Sequence, residues 1–212
     1  MIRDKYMWDK LSSVFDMENP LMRALSVVAD LILLNFLTIL CMLPVITAGA
    51  AFTARNDVLQ HIVRKEESYI VRSFFRSFKS NLKQGCVMGL LFMVPLGLLV
   101  LEFFIIRSVP ALHMTLIYAM LIFAGALVFA CGIYAFHLLA RYENTIGGTV
   151  KNALLLSLAS FPRTLCMLAS YALFWAAVLI FAMYLFPVIL LFGATLPAYI
   201  CALLIEPVFR RL

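Results

Sequence analysis

The feature that most constrains this chain is a series of apolar runs that are long enough to cross a lipid bilayer. The first run, 21–43, is about 35 Å long as a helix at 1.5 Å per residue, and a hydrocarbon core is ~30 Å thick. Over the whole chain 65% of residues are hydrophobic and 13% are charged, against about 45–50% and 25% in soluble domains. The sequence therefore predicts an all-α, polytopic membrane protein.

Six apolar segments separated by polar turns predict about six transmembrane helices, arranged as three hairpins in one membrane domain, 21–206. The predicted spans are 21–43, 45–63, 85–106, 112–140, 164–186 and 188–205. A polar arm, 1–20, precedes this domain, and a short tail, 207–212, follows it. The last span contains Gly193 and Pro197, which predict a broken helix because proline removes a backbone hydrogen bond.

The basic residues predict the orientation of these spans. Every lysine and arginine except Arg107 falls in a segment that the six-span arrangement places on one side of the membrane. Cytoplasmic segments carry the excess of such residues, so both termini are predicted to be cytoplasmic. A five-span alternative leaves 44–83 outside with its many basic residues, and is disfavoured for that reason.

Polar residues inside the first hairpin form a candidate intramembrane cluster: Asp30, Asn35, Thr53, Arg55 and Asp57. If the chain reverses at Pro44, Asp30 comes to lie near Arg55. Our hypothesis is that these two residues form an ion pair, because a charge within a membrane helix needs a partner. The alternative is that Asp30 lies near the head groups, on the same helix stripe as Arg23 and Ser26.

The segment 66–84 is predicted to be an amphipathic helix in the membrane interface. Aromatic side chains recur on one face and basic side chains on another: Arg72, Phe74, Phe75, Arg76, Phe78, Lys79 and Lys83. Helices of this composition lie along a bilayer surface and contact anionic lipid. The same residues also suit a docking surface for a partner protein, and the two uses are compatible.

Small residues and a weak internal echo suggest how the helices are arranged. Gly85 and Gly89 form a Gly-x-x-x-Gly pattern, which lets two helix backbones approach closely. Four residues recur 80 positions later with the same or a similar identity: Ser77, Ser80, Lys83 and Cys86 as Ser157, Ser160, Arg163 and Cys166. This echo suggests a repeated unit in which a helix in the membrane plane leads into a span.

Residues that carry enzyme chemistry are sparse. The 5 cysteines are widely separated and the 3 histidines are isolated, so we predict no metal site, no cofactor and no catalytic residues. His113 and His137 lie at the two ends of the span 112–140 and are interpreted as interface residues. The positive net charge is not interpreted as nucleic-acid binding, because the basic residues lie between hydrophobic spans.

Two stretches of this sequence resemble a known family. DLILLNFLTILCMLPVITAGAAFTA, at 30–54, and SFFRSFKSNLKQG, at 73–85, resemble the YesL-like bacterial membrane proteins, whose domain has no assigned function. The match rests on the motif at 43–50 and on the aromatic, basic stretch at 74–83. The resemblance implies a multi-pass protein of the bacterial plasma membrane, encoded beside carbohydrate ABC transporters and sugar-responsive sensor systems.

Three functions remain open from the sequence. The first is a non-enzymatic accessory or regulatory component of carbohydrate uptake, which binds a sugar ABC transporter or a sensor kinase. The second is a small homo-oligomeric transporter, at least a homodimer, with a site around Asp30, Asn35, Thr53 and Arg55. The third is a membrane-embedded enzyme or a lipid-handling protein.

Overall fold

The computed structural model describes residues 20–66, 69–107, 114–181, 187–188 and 191–210. Within these ranges it contains eight α-helices, one short 3₁₀ helix (Val45–Thr47) and no strand. The helices are α1 (Pro20–Met42), α2 (Ala48–Val63), α3 (Ile70–Ser80), α4 (Leu82–Arg107), α5 (Met114–Arg141), α6 (Ile146–Ala159), α7 (Phe161–Ile180) and α8 (Leu196–Phe209). The predicted all-α class is confirmed; the arm 1–19 lies outside the described residues.

Four of the described helices, α1, α4, α5 and α7, contain apolar segments long enough to cross a membrane. The helices α2 and α8 are shorter, with 16 and 14 residues, or about 24 and 21 Å. The predicted second and sixth spans are therefore shorter than the ~30 Å core. The second loses its first residues to the 3₁₀ turn, and the sixth is interrupted before Leu196. The total of six spans stays a prediction.

The centre of the molecule is α2, which packs against α1, α3, α4, α5 and α8. Its first half consists mainly of alanine, glycine and threonine, and most of its residues are buried. Small side chains let five helices approach one short helix at the same time. As a result, the polar residues in the second half of α2 lie inside the bundle.

Glycine residues bring α2 and α4 into direct backbone contact. A Cβ atom on Gly85 would lie 2.6 Å from the Cα of Ala50, and one on Gly89 would lie 2.9 Å from the Cα of Gly49. A Cβ atom on Gly49 would clash with the carbonyl oxygen of Gly85. The close approach predicted from the Gly85 and Gly89 spacing is confirmed, and its partner is α2.

The predicted interfacial helix 66–84 is divided in the structure. The helix α3 ends at Ser80, and Lys83 already belongs to the long helix α4. At the break, the Asn81 side-chain amide donates to the Ser77 carbonyl oxygen at 3.1 Å. The helices α6 and α7 repeat this arrangement with a break at Ser160, which matches the sequence echo.

An ion-pair group joins the C-terminal ends of α5 and α8. The buried carboxylate of Glu206 accepts from Arg141 at 2.8 Å and from Arg210 at 3.3 Å. The Arg141 guanidinium also lies over the Phe209 ring, 5.2 Å from its centroid. These contacts hold the C-terminal end of α8 against α5.

The glycine crossing generates the first prediction. We expect Gly49→Ala and Gly85→Ala each to lower the free energy of unfolding by about 1–3 kcal/mol, because the added methyl group forces apart two backbones. The matched control is Gly97→Ala in α4, where an added Cβ meets no atom within 4 Å. Unfolding of the purified protein in mild detergent measures the difference, and equal stability of all three variants would contradict the crossing.

Candidate small-molecule site

The last predicted span is interrupted, as its sequence predicted. Leu191 and Phe192 are helical, Gly193–Thr195 form a turn, and α8 begins at Leu196 with Pro197 in its first turn. Proline suits this position because the first helical N–H groups have no partner within the helix. The turn leaves peptide groups without helical hydrogen bonds inside an apolar environment, so other partners must bind them.

Two side chains from other helices bind the Ala194 peptide at this turn. The Ala194 N–H donates to Asn35 Oδ1 on α1 at 2.8 Å. The Ala194 carbonyl oxygen accepts from Arg55 Nη1 on α2 at 2.7 Å. The hydroxyl of the next residue, Thr195, donates to the Leu31 carbonyl oxygen at 3.2 Å. The turn is therefore held against α1 and α2 by a defined set of hydrogen bonds.

Arg55 is buried, with 6% of its surface exposed. Its Nε and Nη2 atoms donate to Asn56 Oδ1 at 3.2 and 3.0 Å. Its guanidinium carbon lies 5.0 Å from the centroid of the Phe52 ring. Across the described ranges, no carboxylate lies within 4.0 Å of this guanidinium. A buried cation is thus stabilised by an amide, a carbonyl and an aromatic ring.

His137 on α5 reaches the same group of residues. Its ring Nδ1 lies 2.8 Å from the Ile133 carbonyl oxygen, so Nδ1 carries the hydrogen and Nε2 is an acceptor. Nδ1 also lies 3.3 Å from the Asn56 side-chain nitrogen. The Gln60 amide donates to the His137 carbonyl oxygen at 3.0 Å. The imidazole is 1% exposed, and its Nε2 has no hydrogen-bond partner.

A cavity of about 480 Å³ opens beside these residues, within the range of ordinary small-molecule sites. Its polar lining includes Arg55, Asn56 and His137, and Ala194 forms part of the wall. Most of the remaining lining is apolar, with these aromatic residues: Phe52, Phe92, Phe129, Phe136, Tyr171 and Trp175. The site combines one polar region with an extended apolar surface.

The predicted pair between Asp30 and Arg55 is wrong. The Arg55 guanidinium bonds to Asn56 and Ala194. Asn35 precedes the end of α1 by as many residues as Arg55 follows the start of α2, so these two residues meet at the same level. Asp30 lies about 8 Å further along α1 at 1.5 Å per residue. The 3₁₀ turn at Val45–Thr47 causes this shift in register.

The other two members of the predicted cluster also have different surroundings. The Thr53 hydroxyl donates to the Gly49 carbonyl oxygen of its own helix at 2.9 Å. Asp57 is half-buried, and its carboxylate lies 3.7 Å from the His61 ring in the next turn of α2. Of the five predicted residues, the structure brings together Asn35 and Arg55 at the Ala194 turn and places the other three elsewhere.

The predicted interfacial residues are mostly on the surface. The exposed side chains are Arg72, Phe75, Arg76, Lys79 and Lys83, and Phe78 is half-buried. The prediction is wrong for Phe74, which has 0% of its surface exposed and lies in a buried cluster with Val58 and Leu59 of α2. Its ring stacks on Phe78 with centroids 6.2 Å apart. Phe74 therefore anchors α3 to the core.

Sequence reasoning missed several residues of the site. Asn56 and Gln60 share one face of α2 at a spacing of four, and this polar pattern within a predicted membrane span was a detectable signal. The interpretation of His137 as an interface residue is wrong, because packing with α2 buries it. Tyr171 and Ala194 had no local signal, since only the tertiary fold brings them to Arg55.

The fold and the site define a multi-pass α-helical membrane protein with a ligand-sized cavity at a broken helix. A family model described as "Protein of unknown function, DUF624" matches residues 31–103. The searches of curated proteins and of solved structures each found no match. The matched segment includes Asn35, Arg55 and the glycine crossing, and it ends before α5 and the Ala194 turn.

The Ala194 turn generates the second prediction. We expect Asn35→Leu to lower the free energy of unfolding by about 1–3 kcal/mol, because it leaves the Ala194 N–H buried without its acceptor. Asp30→Asn on the same helix is the matched control and is expected to change stability by less than about 0.5 kcal/mol. Denaturation in mild detergent measures both. A larger effect of Asp30→Asn than of Asn35→Leu would contradict this description of the site.

Proposed function

We propose that this protein is a carrier that binds a small molecule inside the membrane, in the cavity beside the Ala194 turn. The observation that carries the proposal is the interrupted last helix, whose Ala194 peptide is held by Asn35 and Arg55 from two other helices. Discontinuous helices at membrane depth recur in transporter sites, because their helix ends and unwound peptide groups contact the substrate.

The chemistry of the cavity favours binding over catalysis. Arg55, Asn56 and His137 meet there, and no aspartate or glutamate is among the described residues that line the cavity. No pair of acid and base, or of nucleophile and base, is assembled from these groups. We therefore propose a non-enzymatic function. Because one chain has few long spans for a carrier, the proposal includes a homodimer in the bacterial plasma membrane, with cytoplasmic termini.

A test of the carrier proposal needs no knowledge of the ligand. Gly132 lines the cavity, whereas Gly97 is exposed on α4 with no neighbouring atom at its Cβ position. In a variant without native cysteines, we expect Gly132→Cys to react with a membrane-impermeant maleimide from either side of the membrane. The reason is that a carrier opens its site alternately to each side.

Right-side-out and inside-out vesicles provide the two measurements, and mass spectrometry of the labelled protein quantifies them. Gly97→Cys is the control and is expected to stay unlabelled, because its position faces lipid. Labelling of Gly132→Cys from only one side, or from neither, would contradict a carrier.

A second candidate function is supported by the exposed basic face of α3, formed by Arg72, Arg76 and Lys79. Here the protein is an accessory or regulatory component of carbohydrate uptake, as its resemblance to the YesL-like proteins implies. The partner is a sugar ABC transporter or a sensor kinase, whose acidic cytoplasmic surface contacts α3. Opposite charges on two such surfaces favour association.

Purification of the tagged protein from its native membranes tests this candidate. We expect the partner to co-purify in stoichiometric amount, and to be lost when Arg72, Arg76 and Lys79 are all replaced by glutamine. Lys151→Gln on the exposed surface of α6 is the control and is expected to keep the partner. Recovery of the protein alone from wild-type membranes would contradict a stable complex.

A further inference from the structure

We propose that the cavity takes an amphiphilic anion, with an apolar body and an oxyanion head that also carries a hydrogen-bond donor. This inference rests on the proposed function, because it assumes that the cavity binds a small molecule. Three features of the cavity carry the argument: the surroundings of Arg55, the unpartnered nitrogen of His137 and the composition of the walls.

The Arg55 guanidinium supplies the site for the oxyanion. It has five N–H groups, and three of them donate hydrogen bonds to Asn56 and Ala194. Arg55 and Tyr171 both line the cavity, so the remaining two N–H groups would be available to a ligand there. A buried cation without a carboxylate partner is costly in a membrane protein. A bound carboxylate or phosphate would neutralise it with short, charge-assisted hydrogen bonds.

The His137 imidazole supplies the site for the donor. Its Nδ1 hydrogen is directed to the Ile133 carbonyl oxygen at 2.8 Å, so Nε2 presents a lone pair. That lone pair is buried without a partner, on a residue that lines the cavity. A buried acceptor left unpaired costs free energy, and a hydroxyl on the ligand head would bind it. The head therefore carries a negative charge and an O–H group together.

The walls define the body of the ligand. Beyond Arg55, Asn56 and His137 the lining is mainly aromatic and aliphatic, with Phe92, Phe129 and Leu96 among its residues. A free sugar has hydroxyl groups on every side, and such walls would leave most of them without hydrogen bonds at a cost. A hydrocarbon chain or an apolar ring fits the same walls without that cost.

Trp175 provides a reporter, because it lines the cavity and the chain contains only 2 tryptophans. In the Trp8→Phe variant, embedded in nanodiscs of zwitterionic lipid, Trp175 emission is followed while soluble amphiphiles are added. The probes share one chain length and differ in the head: octanoate, 2-hydroxyoctanoate, octyl phosphate, octylammonium and octyl glucoside. Maltose is added as a sugar without an apolar chain.

We expect saturable binding of the three anions, at least about tenfold tighter than that of octylammonium or octyl glucoside, and no response to maltose. We also expect 2-hydroxyoctanoate to bind at least about fivefold more tightly than octanoate, because its hydroxyl reaches His137 Nε2. The affinity for octyl phosphate, compared with the affinities for the two carboxylates, distinguishes a phosphate head from a carboxylate head. This comparison uses the wild-type cavity and does not depend on any variant's folding.

Three substitutions assign these preferences to residues. Arg55→Gln is expected to weaken anion binding by about tenfold or more, whereas Lys151→Gln on the exposed surface of α6 leaves it unchanged. His137→Phe is expected to abolish the preference for the hydroxylated acid. His137→Gln is expected to restore it, because the amide oxygen can replace Nε2 as the acceptor.

The outcomes separate this inference from the proposed function. Equal or tighter binding of octyl glucoside, octylammonium or maltose would overturn the anion inference and leave the carrier proposal standing. The absence of a saturable response to all three anions would also overturn the inference. The labelling of Gly132→Cys, which needs no ligand, then decides the carrier proposal independently.

Discussion

The backbone contact between α2 and α4 is the constraint on which the rest of the structure depends. At Gly49, Gly85 and Gly89 the two helices approach more closely than any side chain allows. This approach places a short, small-residue helix at the centre of the bundle, where it touches five others. Association of helices in lipid relies on such close packing, since apolar surface alone gives no preference for protein over lipid.

A second consequence is that the polar half of α2 is buried and has to be satisfied within the protein. Arg55 donates to the Ala194 carbonyl oxygen and to Asn56 Oδ1, and Gln60 donates to the His137 carbonyl oxygen on α5. The interrupted last helix leaves the Ala194 carbonyl oxygen free to accept from Arg55, whereas in an intact helix this oxygen would accept from a backbone N–H. The central polar helix and the break at Ala194 are therefore two parts of one arrangement, and the cavity forms where they meet.

Much of the fold was predictable from the sequence, because it depends on local signals. Apolar length predicted the long helices, Gly85 and Gly89 predicted a close crossing, and Gly193 with Pro197 predicted the break. The pairing of Asp30 with Arg55 failed because a 3₁₀ turn shifted the register of α2 against α1. A residue count across a turn assumes a symmetric hairpin, and no local signal reports such a shift.

The site was predictable only in part, for a different physical reason. Asn35 and Arg55 were identifiable because polar groups in apolar segments are costly and therefore need partners. The identity of their partners could not be predicted, since the Ala194 peptide has no distinguishing side chain. The predictions for Phe74 and His137 failed for a similar reason: both side chains suit an interface, and long-range packing buries them instead. Burial of an amphipathic side chain depends on the neighbours that the fold provides.

The division of the site between the two halves of the chain bears on how a ligand would be recognised. The residues that hold the positive charge, Arg55 and its partner Asn56, lie within the segment that the family model matches, 31–103. The free acceptor on His137, the Ala194 turn and the reporter Trp175 lie beyond it. A cation provided by one half and an acceptor provided by the other are brought together only when α2 is packed against α5 and α8. A ligand that binds both groups would therefore stabilise the packing of the two halves.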